Sequence, residues 1–387
     1  MINILRDKKI LKIAFVTNLP SHYVSKLFEM IAANYQTNFL FFSDASERWI
    51  EKKNPLIIGN YNGIFIKGIK ITKHIRVNIR LLLNLLKENY NIFIQYINGP
   101  VEILITFIIS KLLNKPFILW TDLCFQPETL FHKISFPFIK FIYLKSDAIV
   151  VWGSHVSNYL ISLGVEKNKI FFSCGVVENS LFNGKIPKYV KNKILKNYNL
   201  FEKKIILYVG RLVEEKGLIY LLEAYKEINS NFKIALMIIG EGNQKKYLLD
   251  FVKKHNLSDV HFIGYVPNDE LYHFYSLADI FVLPSIKTKT FQEPWGLVIN
   301  EAMNQGCPVI TTNIVGAAIS GLVVNEQNGF IVQEKNSDAL KKAISFLLLN
   351  TSKLKEMGND SLNKIKDWNY DKAFEGFYKA IQFVAKS

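Results

Sequence analysis

The chain has 387 residues, 49% of them hydrophobic, and a net charge of +15. Such content excludes a disordered chain, and such length favours two domains over a single core. Three scattered cysteines, Cys124, Cys174 and Cys307, exclude a disulfide framework and fit a reducing compartment.

Met1 to Lys12 alternates apolar and charged residues and lacks the unbroken apolar run of a signal peptide. The best apolar run, Ile103 to Leu113, is too short to span a bilayer and carries Lys111. The expectation is a cytoplasmic protein. Up to Ile186 there are 22 Lys and Arg against 12 Asp and Glu, so most of the positive excess lies in the first half.

In chain order, Lys12–Asn18 predicts a buried strand that ends in the turn Asn18-Leu-Pro-Ser21, and Ser21 can cap a helix through Val24, Leu27, Phe28 and Ile31. Asn38–Ser43 predicts a second strand, and Ile57–Ile66 two short ones broken at Gly59 and Gly63. Thr72–Leu86 predicts a helix with Arg76 and Arg80 on one side and Ile75, Ile79, Leu82, Leu83 and Leu86 on the other. Strand Ile92–Ile97, helix Val101–Leu113, strand Pro116–Trp120, a Phe-rich helix Glu128–Ser146 with Pro137 inside, and strands Asp147–Trp152 and Lys169–Ser173 follow. Gly184–Lys204 is dense in Lys and Asn and predicts a linker with at most a short helix.

The alternation then resumes. Strands are predicted at Ile205–Val209, Ile234–Ile239, Val260–Ile263, Ile280–Pro284, Val309–Thr312 and Gly329–Val332. Helices are predicted at Gly217–Ile228, Asn243–His255 and Asn268–Leu277, with two or three more from Asp338 to Lys386. Buried strands alternating with helices specify parallel sheets covered on both faces. The predicted class is α/β, with two doubly wound Rossmann-like domains facing across a cleft. Residues 1–184 form the first, 185–204 the linker, 205–366 the second, and 367–387 a last helix. Ligands of such sheets bind beyond the carboxyl ends of the strands.

Several residue groups fall at those ends. Glu293-Pro-Trp-Gly-Leu-Val-Ile-Asn-Glu301 sets two carboxylates eight residues apart around a helix start, with Pro294 just ahead of the first turn. Carboxylates accept from vicinal hydroxyls and a helix N-terminus attracts phosphate, so the stretch suits a ligand that is half sugar and half phosphate. Gly210-Arg211 closes one strand and Lys216-Gly217 opens the next helix; the two cations read as a diphosphate clamp or as surface charges in a loop. Gly240-Glu-Gly242 is an incomplete dinucleotide fingerprint, and is expected to let the backbone approach a nucleotide. In the first half, Asn18, Ser21 and His22 at one strand end, and Asp122 at another, are candidates for the acceptor side or for plain turn and cap chemistry. Trp152, Ser154 and His155 close a further strand, and His155 reads as structural. No phosphate-loop, zinc-protease or serine-elbow motif occurs, nor any Asp-x-Asp, so no metal or cofactor is expected.

The basic residues Arg76, Arg80 and Lys87, with Lys67, Lys70 and Lys73 before them, flank an apolar helix face, and the Phe-rich helix carries Lys133, Lys140 and Lys145. These helices predict either a peripheral contact with an anionic membrane or core-facing stripes with solvated basic edges.

Glu293-Pro-Trp-Gly-Leu-Val-Ile-Asn-Glu301-Ala-Met-Asn-Gln-Gly306-Cys-Pro308 resembles the Glu-x7-Glu signature of glycosyltransferase family 4, retaining enzymes of the GT-B architecture. Gly210-Arg211-Leu, Lys216-Gly217, Gly240-Glu-Gly242, Gly264-Tyr265-Val266-Pro267 and Asn328-Gly329-Phe follow that family's order and spacing. The resemblance is strong from Ile205 to Leu349 and weak before. It implies a nucleotide-sugar donor held by Gly210, Gly240, Gly242, Tyr265, Val266, Trp295, Gly296, Leu297 and Val298, with Glu293 on the sugar hydroxyls and Glu301 on the ribose. Arg211 and Lys216 would neutralise the leaving diphosphate without a metal, and the last helix would cross back onto the first domain; Asp122 is a candidate catalytic helper from its place at a strand end and not from the resemblance. Two departures stand out: Asn18-Leu-Pro-Ser-His22 replaces a Gly-rich first loop, and Asp122 stands where a His is common. The implied activity is transfer of a sugar to a glycan or lipid-linked glycan of the cell surface, at the inner membrane face. A nucleotide-sugar epimerase of the same fold and a two-domain small-molecule-binding protein are the alternatives. A nucleic-acid partner has only charge in its favour and no recognition motif, and is not expected.

Overall fold

The computed structural model describes residues 11–42, 59–66, 68–70 and 76–386. The first domain is built on nine strands: β1 (Lys12–Thr17), β2 (Gln36–Phe41), β3 (Asn62–Phe65), β4 (Ile69–Lys70), β5 (Arg76–Val77), β6 (Ile92–Tyr96), β7 (Phe117–Thr121), β8 (Ala148–Val151) and β9 (Ile170–Phe172). Seven make one parallel sheet in the order β3-β2-β1-β6-β7-β8-β9, and β4 and β5 pair as an antiparallel hairpin. The central strands read Ile-Phe-Ile-Gln-Tyr and Phe-Ile-Leu-Trp-Thr because both their faces are covered, which leaves no solvent side for polar alternation.

One face of this sheet carries α2 (Ile79–Lys87), α3 (Pro100–Leu112), α4 (Leu130–Lys145) and α5 (Ser154–Ser162), whose inward side chains include Leu81, Leu85, Ile103, Phe107, Ile142 and Leu160. The other face is covered by α1 (His22–Asn34) and by the last helix of the chain. A short α6 (Asn179–Phe182) and α7 (Lys188–Asn197) occupy the connection to the second domain.

The second sheet consists of β10 (Lys204–Val209), β11 (Ile234–Ile239), β12 (Val260–Gly264), β13 (Ile280–Leu283), β14 (Val309–Thr312) and β15 (Gly329–Val332), all parallel, in the order β12-β11-β10-β13-β14-β15. Its helices are α8 (Leu218–Ile228), α9 (Lys245–Lys254), α10 (Leu271–Tyr275), α11 (Leu297–Met303), α12 (Gly316–Ile319), α13 (Ser337–Leu349) and α14 (Thr351–Ile365). From here α15 (Tyr370–Lys386) returns to the first domain, where Phe377 packs 5.8 Å from the ring of Phe15 and 5.4 Å from that of Trp120.

Two stretches differ from expectation. Of the two strands predicted in Ile57–Ile66, the structure has β3; residues 57 and 58 lie outside the described residues, as do residues 1–10, Lys67, Lys73 and 72–75. The predicted helix Thr72–Leu86 begins only at Ile79, because Arg76–Val77 pairs with Ile69–Lys70. Its buried positions are Leu81 and Leu85, and the predicted apolar side of Ile79, Leu82, Leu83 and Leu86 faces solvent. Arg80, Asn84 and Lys87 mark one polar side, but the apolar residues span a wide arc, so periodicity alone could not say which part of that arc is buried.

Candidate active site between two switch points

In each sheet the strand order reverses once, and a crevice opens beyond the carboxyl ends of the two strands that flank the reversal. In the first sheet those strands are β1 and β6. A cavity of about 200 Å³ lies there, walled by Asn18 and Ser21 after β1, Tyr96 and Asn98 at the end of β6, and the rings of Tyr23, Trp120 and Trp152. Leu297, at the start of α11, contributes to its wall from the second domain. Asp122 does not line this cavity. Burial pushes its carboxyl above the usual range, and it accepts from the Tyr96 hydroxyl, which does face the cavity. His22 stacks its ring 3.7 Å from that of Tyr23, and burial lowers its pKa.

In the second sheet the flanking strands are β10 and β13. Lys216 and Glu293 form a buried ion pair there, and Ser285 Oγ, just past β13, donates to Glu293 Oε2 at 3.1 Å. The ammonium of Lys216 also stands 6.0 Å from the Phe291 ring. Removing two charges from water is costly unless they are paired and hydrogen-bonded, as these are. Arg211, the other predicted cation, lies apart: its guanidinium is mostly exposed and 3.3 Å from Glu215.

The turn that carries Glu293 is held from three directions. Gly316 N–H donates to the Glu293 carbonyl at 3.1 Å and Ala317 N–H to that of Trp295 at 3.0 Å. From the first domain, His155 Nε2 donates to the Pro294 carbonyl at 2.8 Å. A nitrogen that donates to a carbonyl leaves the other ring nitrogen as acceptor, so His155 Nδ1 takes the Ser320 hydroxyl at 3.2 Å. Burial pushes the imidazole down to about 4, consistent with this neutral ring. The turn ends at Gly296 with φ 87°, a left-handed conformation that costs a β-carbon-bearing residue about 1 kcal/mol or more, and α11 starts with the half-buried Leu297 and Val298.

Three predicted donor residues are placed otherwise than expected. Trp295 does not present its ring to the cleft: it is buried, stacks 5.4 Å from Trp368, and donates to Asn300 Oδ1 at 2.9 Å. Gly240 and Gly242 give close approach, but to protein. A Cβ on Gly240 would lie 2.0 Å from the Gly210 carbonyl oxygen, and one on Gly242 2.2 Å from that of Leu212. The two glycines lock the Gly210–Leu212 loop in place, with Leu212 N–H donating to the Glu241 carbonyl at 2.9 Å. Gly240 N–H donates to the Gly264 carbonyl at 2.8 Å, which brings the half-buried Tyr265 and Val266 to the same edge.

Glu301 is fully buried, and burial pushes its carboxyl up to about 7. Tyr275 donates to Oε2 at 2.6 Å, and Tyr23, from the first domain, to Oε1 at 3.0 Å. The sequence reading missed Tyr23, Tyr275, Ser285 and Ser320. Ser285 had a usable signal, since it follows the Pro284 that ends a predicted strand; Tyr23 and Ser320 meet their partners only through the packing of two domains, and Tyr275 meets Glu301 through the packing of α10 on α11.

Chains of known structure share this arrangement of two facing sheets. Anabaena HepE, solved in complex with UDP, superposes with a TM-score of 0.77 over 96% of this chain and 100% of that one, at 16% identity. Sucrose-phosphate synthase from Thermosynechococcus elongatus superposes at 0.75 over 97% and 100%, at 20% identity. The fold is therefore that of the GT-B glycosyltransferases.

Residues 190–364, somewhat under half of the chain, match the model of glycosyl transferases group 1. Among curated relatives, an uncharacterised glycosyltransferase of Methanocaldococcus jannaschii is 28% identical over 261 residues, 65% of this chain and 70% of the relative. The capsular polysaccharide biosynthesis glycosyltransferase CapM of Staphylococcus aureus is 29% identical over 255 residues, 64% of this chain and 57% of the relative. The protein is a glycosyltransferase.

Proposed function

We propose that the protein is a retaining transferase that moves a sugar from a nucleoside-diphosphate sugar to a glycan acceptor, lipid-linked, in the synthesis of a cell-surface polysaccharide. The buried Lys216–Glu293–Ser285 cluster at one switch point, with an aromatic-walled cavity at the other, carries this reading. In it, Glu293 accepts from hydroxyls of the donor sugar, and Lys216 and Arg211 balance the charge of the departing diphosphate. Positive charge already aimed at the place where negative charge develops lowers the barrier without reorganisation. The N–H groups of Gly296 and Leu297 add to it at the start of α11. The leaving phosphate takes the acceptor's proton on the same face of the sugar, so no metal is required. Asp122, held by Tyr96 at the edge of the cavity, assists the acceptor hydroxyl.

The acceptor sugar would stack on Tyr23, Trp120 or Trp152, since sugar rings present apolar C–H faces to aromatic planes. Glu301 receives the ribose only once the Tyr23 hydroxyl leaves it. HepE, whose structures include complexes with UDP and with UDP-glucose, and CapM support a nucleotide-sugar donor and a polysaccharide product. Work at the inner face of the cytoplasmic membrane follows from a lipid-linked acceptor.

The test supplies nucleotide sugars one at a time, with and without a membrane lipid extract, and follows release of nucleoside diphosphate and the anomeric configuration of the product. Acceptor-dependent release with retained configuration, lost in Glu293→Ala and insensitive to a chelator, is expected. Normal turnover by Glu293→Ala overturns the assignment, and donor conversion without acceptor identifies an epimerase instead.

A further inference from the structure

The layer of helices α2, α3 and α4 is apolar on both sides. Its inner side packs on the first sheet. Among the described residues no element covers its outer side, and large side chains stand in solvent along all three helices. On α4, Leu130, Ile134, Phe138 and Phe141 follow one another at helical spacing and are 75%, 65%, 65% and 53% exposed. Leu83 and Leu86 of α2 and Ile108 and Leu112 of α3 are exposed as well. The helices are neighbours: α2 packs on α3, and Phe107 of α3 lies 6.0 Å from Phe141 of α4, ring to ring. Singly exposed apolar residues need no explanation, but a continuous apolar face of this kind marks an interaction surface.

The exposed charges on the three helices themselves are of one sign. Neither α2 nor α4 contains an acidic residue, and the one on α3, Glu102, is buried. Arg80 and Lys87 on α2, Lys111 on α3 and Lys133, Lys140 and Lys145 on α4 remain, of which Lys111 pairs with Asp147. A second copy of this chain would bring like charges together. Among the described residues no helix is long and apolar enough to cross a membrane. Apolar side chains inside a basic rim suit the boundary between headgroups and acyl chains of an anionic bilayer.

We infer that the α2–α3–α4 face is a docking surface for an anionic lipid bilayer. The helices lie in the interface plane, with Phe138 and Phe141 below the headgroups and Lys133, Lys140 and Lys145 on the phosphates. The surface begins at the rim of the cleft. Leu130 is two residues beyond Glu128, whose N–H donates to the Lys289 carbonyl of the second domain at 2.8 Å. Docking therefore brings the cleft mouth to the bilayer surface, whichever donor it takes.

The experiment is sedimentation of the full chain with vesicles of phosphatidylcholine alone, or of phosphatidylcholine and phosphatidylglycerol in equal parts, at low and high salt. Binding to the anionic vesicles alone, weakened by salt, is expected. The triple variant Lys133→Gln, Lys140→Gln, Lys145→Gln should bind about 100-fold more weakly. The double variant Phe138→Ser, Phe141→Ser should lose at least about tenfold. None of the five residues touches the cleft, so both variants keep their melting profile and wild-type release of nucleoside diphosphate in solution. Absence of vesicle binding, equal binding to neutral vesicles, or loss in the lysine variant with none in the phenylalanine variant overturns the inference. So does a wild-type dimer that the phenylalanine variant makes monomeric. Loss of turnover with vesicle binding intact would count against the transfer reading alone.

Discussion

His155 Nε2, on the first helix turn after β8, donates to the carbonyl of Pro294 at 2.8 Å, and so ties one domain to the turn that carries Glu293 in the other. A misplacement of about 1 Å at such a turn can lower turnover 100-fold. His155→Ala should therefore lower kcat by roughly 10- to 100-fold with a smaller change in donor KM. His155→Gln, whose amide can still donate, should recover part of the loss. Steady-state kinetics with separate kcat and KM check this; an unchanged kcat in His155→Ala would sink it.

Two buried groups give stability a pH dependence of opposite sign. Burial raises Glu301 from 4.5 to about 7, while its bonds from Tyr275 and Tyr23 pull the other way. Between those values the folded protein holds a proton that the unfolded chain has released. Its contribution is thus complete below the lower value and is lost as pH rises through about 7. Burial lowers His155 from 6.5 to about 4, so its contribution is present above 6.5 and is lost as pH falls towards 4. Each is worth on the order of 3 kcal/mol at most. Denaturant titrations across this range should show Glu301→Gln flattening the neutral limb and His155→Gln the acid limb.

Lys216→Met leaves Glu293 buried with Ser285 as its remaining side-chain partner. Loss of one member of a buried pair costs about 3–5 kcal/mol, while replacing both by apolar residues costs far less. Lys216→Met alone should therefore be markedly less stable than Lys216→Met combined with Glu293→Leu, and both should be inactive. Equal urea midpoints for the two would refute the coupling.

Gly240 has φ +134°, and its Cβ would lie 2.0 Å from a backbone oxygen. Gly240→Ala should cost more than about 2 kcal/mol and loosen the Gly210–Leu212 loop. Gly321→Ala also forces an unfavourable φ, of +81°, but meets nothing within 4 Å, and should cost about 1 kcal/mol. Thermal unfolding of the two variants side by side checks the difference.

Tyr23→Phe releases one oxygen of Glu301. If the ribose takes that oxygen, the nucleoside diphosphate of the donor should bind about 5- to 10-fold more tightly, the worth of one hydrogen bond. Calorimetric titration with the nucleoside diphosphate that the transfer assay releases measures it, and weaker binding would mean that Tyr23 supports the nucleotide instead.

The two sheets were legible because their strands are unbroken apolar runs, as in Ala148–Val151 and Ile234–Ile239. Glu293 and Lys216 were legible because each closes or opens an element at the switch point between β10 and β13. The environment of Glu301 was not. Its partners Tyr275 and Tyr23 lie 26 and 278 residues away, and no local pattern reports a contact at such separation. The glycine pair at 240 and 242 shows a related limit: a need for close backbone approach is visible in sequence, but that the Gly210–Leu212 loop is among what approaches is not. In helix α2 the apolar arc is wider than the strip that packs, so the pattern did not say that Leu81 and Leu85, and not Leu82, Leu83 and Leu86, are the buried ones.

Residues 370–386 complete a wall of the first domain's interior, against Phe15 and Trp120. On the ribosome that wall is missing until the last residues emerge. The second domain, whose strands and helices are contiguous in the chain, can close its own interior earlier. The half that is made first thus finishes folding after the second, and early termination near residue 369 would spare the second domain while exposing the interior of the first.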